Sequence, residues 1–159
     1  MNEDDVLNHP SVIRVRNYLA SVGISGQVVA LKDSARTAAE AAEALGIEVG
    51  QVASSIVFKL PDGNPLLVIT SGRHRVDTEL VARNLGVEKL HRADADYVRS
   101  VSGFAIGGVS PVAWVSETIG GVPLMGNKSK LLRLLKSWKS HCPNVLFLPK
   151  FVNLSYGGV

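Results

Sequence analysis

Ile56-Val57-Phe58-Lys59-Leu60 and Leu66-Leu67-Val68-Ile69-Thr70 are two apolar runs joined by Pro61-Asp62-Gly63-Asn64-Pro65. The joint consists of the residue types that tight turns demand, so the stretch predicts a β-hairpin at the centre of an antiparallel sheet. Towards the N-terminus, Thr37 and Glu40 have the spacing of a capping box. They precede an alanine-rich run (Ala38, Ala39, Ala41, Ala42, Leu45) that stops at Gly46, and side chains this small let a helix lie close against a sheet. Gln27 to Leu31 is a β-branched run expected as a buried strand, and Val12, Val15, Leu19 and Val22 recur at helical spacing between Pro10 and Gly23. Towards the C-terminus, Asp77 can cap a helix running to Leu85 and closed by Gly86. A short strand around Lys89 to His91, a helix over Ala93 to Val101, a glycine-dense loop and a strand over Val112 to Val115 follow. Short connections outnumber long crossovers, which predicts an α+β domain with a mixed, largely antiparallel sheet surrounded by helices.

The 159 residues, 46% apolar and 19% charged, suit a single core. A chain of this size buries about 68–70% of its unfolded surface and needs no metal or disulfide staple. Cys142 is the lone cysteine, as expected of a reducing cytosol. No apolar run of 18 residues occurs and residues 1–9 are polar and acidic, so a soluble cytoplasmic protein without a membrane span or secretory signal is expected. Charge is uneven along the chain. Residues 1–117 hold all 14 acidic residues against 11 basic ones, a net of −3, whereas residues 118–159 hold six basic residues and no acidic one, a net of +6. That break divides a domain over 1–117 from a basic segment over 118–159, which either completes the same domain or is an interaction tail, a separately evolved tail or a frame-altered one.

Two places carry candidate chemistry. In Gly103-Phe104-Ala105-Ile106-Gly107-Gly108-Val109-Ser110-Pro111, glycines permit close backbone approach and Pro111 fixes the exit. Such a loop can aim several N–H groups at one anion or carbonyl oxygen, or it can be a tight connection and nothing more. Neither a phosphate loop nor a Gly-x-Ser-x-Gly elbow is present, since Val112 stands where the elbow around Ser110 needs glycine. In Ser71-Gly72-Arg73-His74-Arg75-Val76-Asp77, two arginines, a histidine and a helix start make a plausible phosphate or ribose site, with Asp77 equally readable as a plain cap. His9, His91 and His141 stand apart without metal-ligand spacing, so no metal and no cofactor are expected.

The helix start at Thr37, Leu45-Gly46, Val52-Ala53-Ser54-Ser55-Ile56-Val57-Phe58, Gly72 with Arg75-Val76-Asp77, and Gly103-Phe104 followed by Gly107-Gly108-Val109-Ser110-Pro111 together resemble the YbaK/EbsC-like family. This family includes the bacterial Cys-tRNA(Pro) deacylase and the editing domain of prolyl-tRNA synthetases. The resemblance spans helix one to Val115 and implies a curved mixed sheet and hydrolysis of the ester joining a wrong amino acid to tRNA. It makes Gly107, Gly108, Ser110, Pro111 and Ser54 the candidate catalytic set, and Gly72, Arg73, His74, Arg75, Asp77 and Phe58 the candidate substrate-binding set. The implied partners are the aminoacylated 3′ end of tRNA and an aminoacyl-tRNA synthetase, with no membrane.

Two features depart from that family. Its editing members usually carry a functional lysine where this chain has Ser54, and Lys59 lies on the other face of the same strand. Beyond the loop, the family's acidic strand end is missing at Leu124-Met125-Gly126-Asn127-Lys128. The tail instead offers Lys128 to His141, where Leu131, Leu134, Leu135 and Trp138 share a helical face with Lys130, Arg133, Lys136 and Lys139 around it, readable as a core-facing helix or as one that binds RNA or an anionic surface. Two functions are therefore expected in competition. One is editing hydrolysis in trans, and the other is a tRNA- or nucleotide-binding module without catalysis.

Overall fold

The computed structural model describes residues 3–23, 27–31, 35, 37–115, 146–147 and 153–155. The hairpin is the organising element. Strands β2 (Val52–Lys59) and β3 (Pro65–Ser71) pair antiparallel from Ala53 opposite Ser71 to Lys59 opposite Pro65. In the turn, the Leu60 N–H donates to the Asn64 carbonyl at 2.8 Å, and Asp62 accepts from the Asn64 amide and side chain at 2.9 and 2.8 Å. Those bonds favour the charged carboxylate and hold its pKa below the ordinary value. The Tyr97 hydroxyl closes over the turn on the Gly63 carbonyl at 2.8 Å.

Five α-helices and four small strands dress the hairpin among the described residues. Helix α1 (Glu3–Leu7) leads into α2 (Pro10–Ser21), whose Val12, Val15 and Leu19 are buried at the predicted spacing. Val6 of α1 packs with Val12 and Ala30, with Leu7 against them, so the acidic lead is a helix with an apolar side. Strand β1 (Gln27–Val29) follows. In α3 (Ala38–Leu45) the predicted capping box is complete: the Glu40 N–H donates to Thr37 Oγ1 and the Thr37 N–H to Glu40 Oε2, both at 3.2 Å. A short 3-10 turn, Val49–Gln51, feeds β2. Helix α4 (Thr78–Leu85) is capped by Asp77, which accepts from the Leu80 N–H at 2.9 Å. Strand β4 (His91–Arg92) sits one to two residues later than expected, and α5 (Ala95–Ser102) starts behind an Asp94 cap.

The sheet runs β3-β2-β4, all antiparallel, and β5 (Leu146–Phe147) joins β2 in parallel at Val52 and Ala53, which makes it mixed as expected. A second pair joins β1 to β6 (Asn153–Ser155). Both small strands fall within the basic segment and pair with elements of the first 117 residues, while the helical reading of Lys128 to His141 lies outside the described residues.

Alternation along β2 makes two layers. Ala53 and Val57, with Leu67 of β3, pack against Val15 and Leu19 of α2, Val98 of α5, and Phe104, Val109 and Val112. Burying each of the larger side chains contributes about 1.5–3 kcal/mol. On the opposite face, Val52 meets Ala41 and Ala42 of α3, where small side chains bring helix and sheet together.

Val112 to Val115 is not a strand. The Ser110 side chain takes the Val112 N–H at 3.2 Å, the Trp114 indole donates to the Ser110 carbonyl at 2.7 Å, and Ala113 has φ +59. Those local bonds curl the backbone where β-branched composition favoured extension.

Candidate functional site

The glycine loop begins where α5 stops at Gly103. Phe104 enters the core, and Ala105 to Gly108 form a turn closed by the Gly108 N–H donating to the Ala105 carbonyl at 2.9 Å. Gly107, the third residue of that turn, has φ +80, a conformation that glycine adopts without steric cost. Val109, Ser110, Pro111 and Val112 then run buried against the Ala53–Val57 layer. The tip is exposed at Ile106 and Gly107 and held from behind by the core.

Of the loop amides, Gly108 is committed to its turn and Val112 to Ser110 Oγ. The N–H groups of Gly107, Val109 and Ser110 have no acceptor among the described residues. Ser110 is 1% exposed, and its Oγ shapes the loop, which is no posture for an attacking group. The loop therefore offers donors and a fixed shape without a nucleophile, which suits stabilisation of a developing oxyanion.

Sequence reasoning missed Arg14. From α2 its Nε donates to the Ala113 carbonyl at 2.6 Å and its terminal nitrogen lies 3.4 Å from the Gly103 carbonyl. The guanidinium stands 4.6 Å from the centre of the Phe104 ring. Burial lowers its pKa from the ordinary value. No local signal marks a residue that acts 99 positions away.

The predicted cluster at Ser71 to Asp77 surrounds the end of β3. The Gly72 N–H donates to the Val52 carbonyl at 2.7 Å. Arg73 pairs with Glu48 at 3.0 Å on the surface and lies over Gly50. His74 is exposed and its N–H donates to the Ser71 carbonyl, while exposed Arg75 makes no ion pair among the described residues. Asp77 is the cap of α4. Among the described residues no hydrogen bond or ion pair joins this cluster to the glycine loop. Ser54 faces Thr70 across the hairpin, half-buried. Its side chain falls on the Val52 face, away from the layer that holds Val109 and Val112, and Phe58 shares that face opposite Arg92 of β4. Among the described residues no group of three His, Cys, Asp or Glu is placed to hold a metal, and no helix is long and apolar enough to cross a membrane.

The family model of the aminoacyl-tRNA editing domain matches residues 32–129, which take in the hairpin, the 71–77 cluster and the whole glycine loop. The chain belongs to that family. Solved structures agree with this editing domain in fold. One, from work on epitope backbone grafting onto scaffold proteins by computational design, is 40% identical over 67% of this chain and 68% of its own, with a TM-score of 0.62. A second, described as a proposed trans-editing enzyme for prolyl tRNA synthetase, is 41% identical over 68% of each chain, with a TM-score of 0.61. A third, a hypothetical protein, is 25% identical over 64% of this chain and 67% of its own, with a TM-score of 0.59. No curated protein gives a significant match. The match runs past the charge break after residue 117 as far as Ser129.

Proposed function

We propose that this editing domain acts in trans in the cytoplasm, hydrolysing the ester that joins a wrong small amino acid to a tRNA(Pro)-type tRNA. The observation that carries the reading is the Gly107 to Pro111 loop, with an exposed tip, amides that have no acceptor among the described residues and a buried back. Ester hydrolysis puts negative charge on the carbonyl oxygen, and one preorganised donor to that oxygen is worth about 2.7–4 kcal/mol. Gly107 is the accessible donor of the set. Water, or a terminal ribose hydroxyl acting through water, attacks the held ester, and positioning supplies much of the rest of the barrier reduction. Arg73 and Arg75 are exposed cations, and His74 an exposed side chain beside them, suited to the phosphates of the tRNA end. The similarity to a proposed trans-editing enzyme for prolyl tRNA synthetase supports the choice of tRNA.

A second reading is favoured by Ser54, which leaves the family's lysine position uncharged: a module that binds the tRNA end without cleaving it. Ser54→Lys separates the two. In an editing hydrolase the variant is expected to raise kcat/KM, because a cation on the Val52 face of β2 adds a contact for the tRNA end, and Ser54→Ala is expected to change it little. In a binding module Ser54→Lys alters affinity for tRNA and yields no hydrolysis. Deacylation of tRNA(Pro) charged with alanine or cysteine, beside salt-dependent tRNA binding, reads both quantities.

A further inference from the structure

We propose that Arg14 is the positioning residue of the glycine loop, one guanidinium on α2 fixing both loop ends through the carbonyls of Gly103 and Ala113. The proposal rests on the loop being the oxyanion site. Arg14 precedes Val15, which with Leu19 lies in the main core against Ala53, Val57 and Leu67 of the hairpin as well as the loop's own side chains, so its backbone is anchored on the sheet too. Its two bonds reach 89 and 99 residues along the chain and close on the two points between which the whole loop hangs. Ala113 is, among the described residues, the non-glycine with positive φ. That conformation costs an L-residue on the order of 1–2 kcal/mol and persists only where surroundings enforce it. Beside the local bonds at Ser110 and the bond from the Val115 N–H to the Ser102 carbonyl, the 2.6 Å bond from Arg14 Nε to the Ala113 carbonyl is, among the described residues, the one made to that residue itself from another element. A lysine is a poor replacement, because its compact ammonium lacks the fixed guanidinium fork that reaches both carbonyls from one position over the Phe104 ring.

The experiment uses the full chain with Arg14→Lys, which keeps the charge, and Arg14→Gln, which keeps a neutral amide donor. Three quantities are read: deacylation kcat and KM, amide hydrogen exchange by peptide, and the urea midpoint. The expected result is a fall in kcat of about 10²-fold for both variants, the loss typical of a small displacement of reacting groups, with KM nearly unchanged. Exchange should quicken over 103–115 and stay slow over 52–59 and 65–71. Either of two results overturns the proposal: unchanged kcat and loop exchange in folded Arg14→Lys, or exchange that rises equally in the hairpin, which would make Arg14 a general stabiliser. A wild-type chain that deacylates nothing refutes the hydrolase reading instead, and loop exchange then decides the role of Arg14 by itself.

Discussion

Replacing Gly107 with valine is expected to lower deacylation by about 10²–10³-fold, the loss typical when one oxyanion donor is removed, in a protein that still folds. Gly107 has φ +80, where a β-branched residue is a steric outlier, so valine reorients the Ile106–Gly107 peptide and turns its N–H away. A Cβ built at this glycine meets nothing within 4 Å, so the change strains the turn without pushing on the core. The cost to stability is on the order of 1–2 kcal/mol. Circular dichroism and a urea titration establish that the fold survives, and single-turnover deacylation reads the loss. Activity that persists in folded Gly107→Val removes the oxyanion site from this loop.

Gly72→Val is expected to have the largest effect on stability, and for the opposite reason. A Cβ there would stand 2.6 Å from the Ala38 Cβ, 2.7 Å from the Val49 carbonyl oxygen and 3.3 Å from the Val52 Cβ. None of the three is the far end of a flexible side chain. Ala38 is in the first turn of α3, and the Val49 carbonyl opens the 3-10 turn that feeds β2. Overpacking of this kind costs about 1–3 kcal/mol and occasionally more, and valine at 72 belongs at the top of that range. The corresponding fall in Tm is roughly 6–12 °C for a domain of this size. Scanning calorimetry of Gly72→Val beside Gly107→Val makes the comparison. Equal midpoints would mean that α3 and the hairpin do not approach each other so closely. Gly72 was a candidate binding residue, and its geometry already accounts for glycine there without a ligand.

What the sequence makes legible follows from where each determining interaction lies. The hairpin, the Thr37–Glu40 box and the Asp77 cap are set by residues within a few positions of one another, and each forms as its spacing implies. The strand expected over Val112 to Val115 fails because Ser110 and Arg14 compete for the same backbone, the first from two residues away and the second from another helix. The candidate site divides in the same way. Gly-x-x-x-Pro is visible as a motif, but which of its amides are spent inside the loop depends on the turn at Ala105 to Gly108. Arg73, a candidate phosphate ligand in the sequence, is bound to Glu48, 25 residues away, in an exposed pair worth at most about 1 kcal/mol, so a phosphate can still draw it off.

The most direct test is the lifetime of the ester in alanyl- and cysteinyl-tRNA(Pro) incubated with the full wild-type chain. The proposed activity predicts a lifetime that shortens in proportion to protein concentration for at least one of these tRNAs, while correctly charged prolyl-tRNA(Pro) is spared. A lifetime equal to that in buffer for every small amino acid tested, in a protein that binds the same tRNA, would contradict it and leave a binding module in its place.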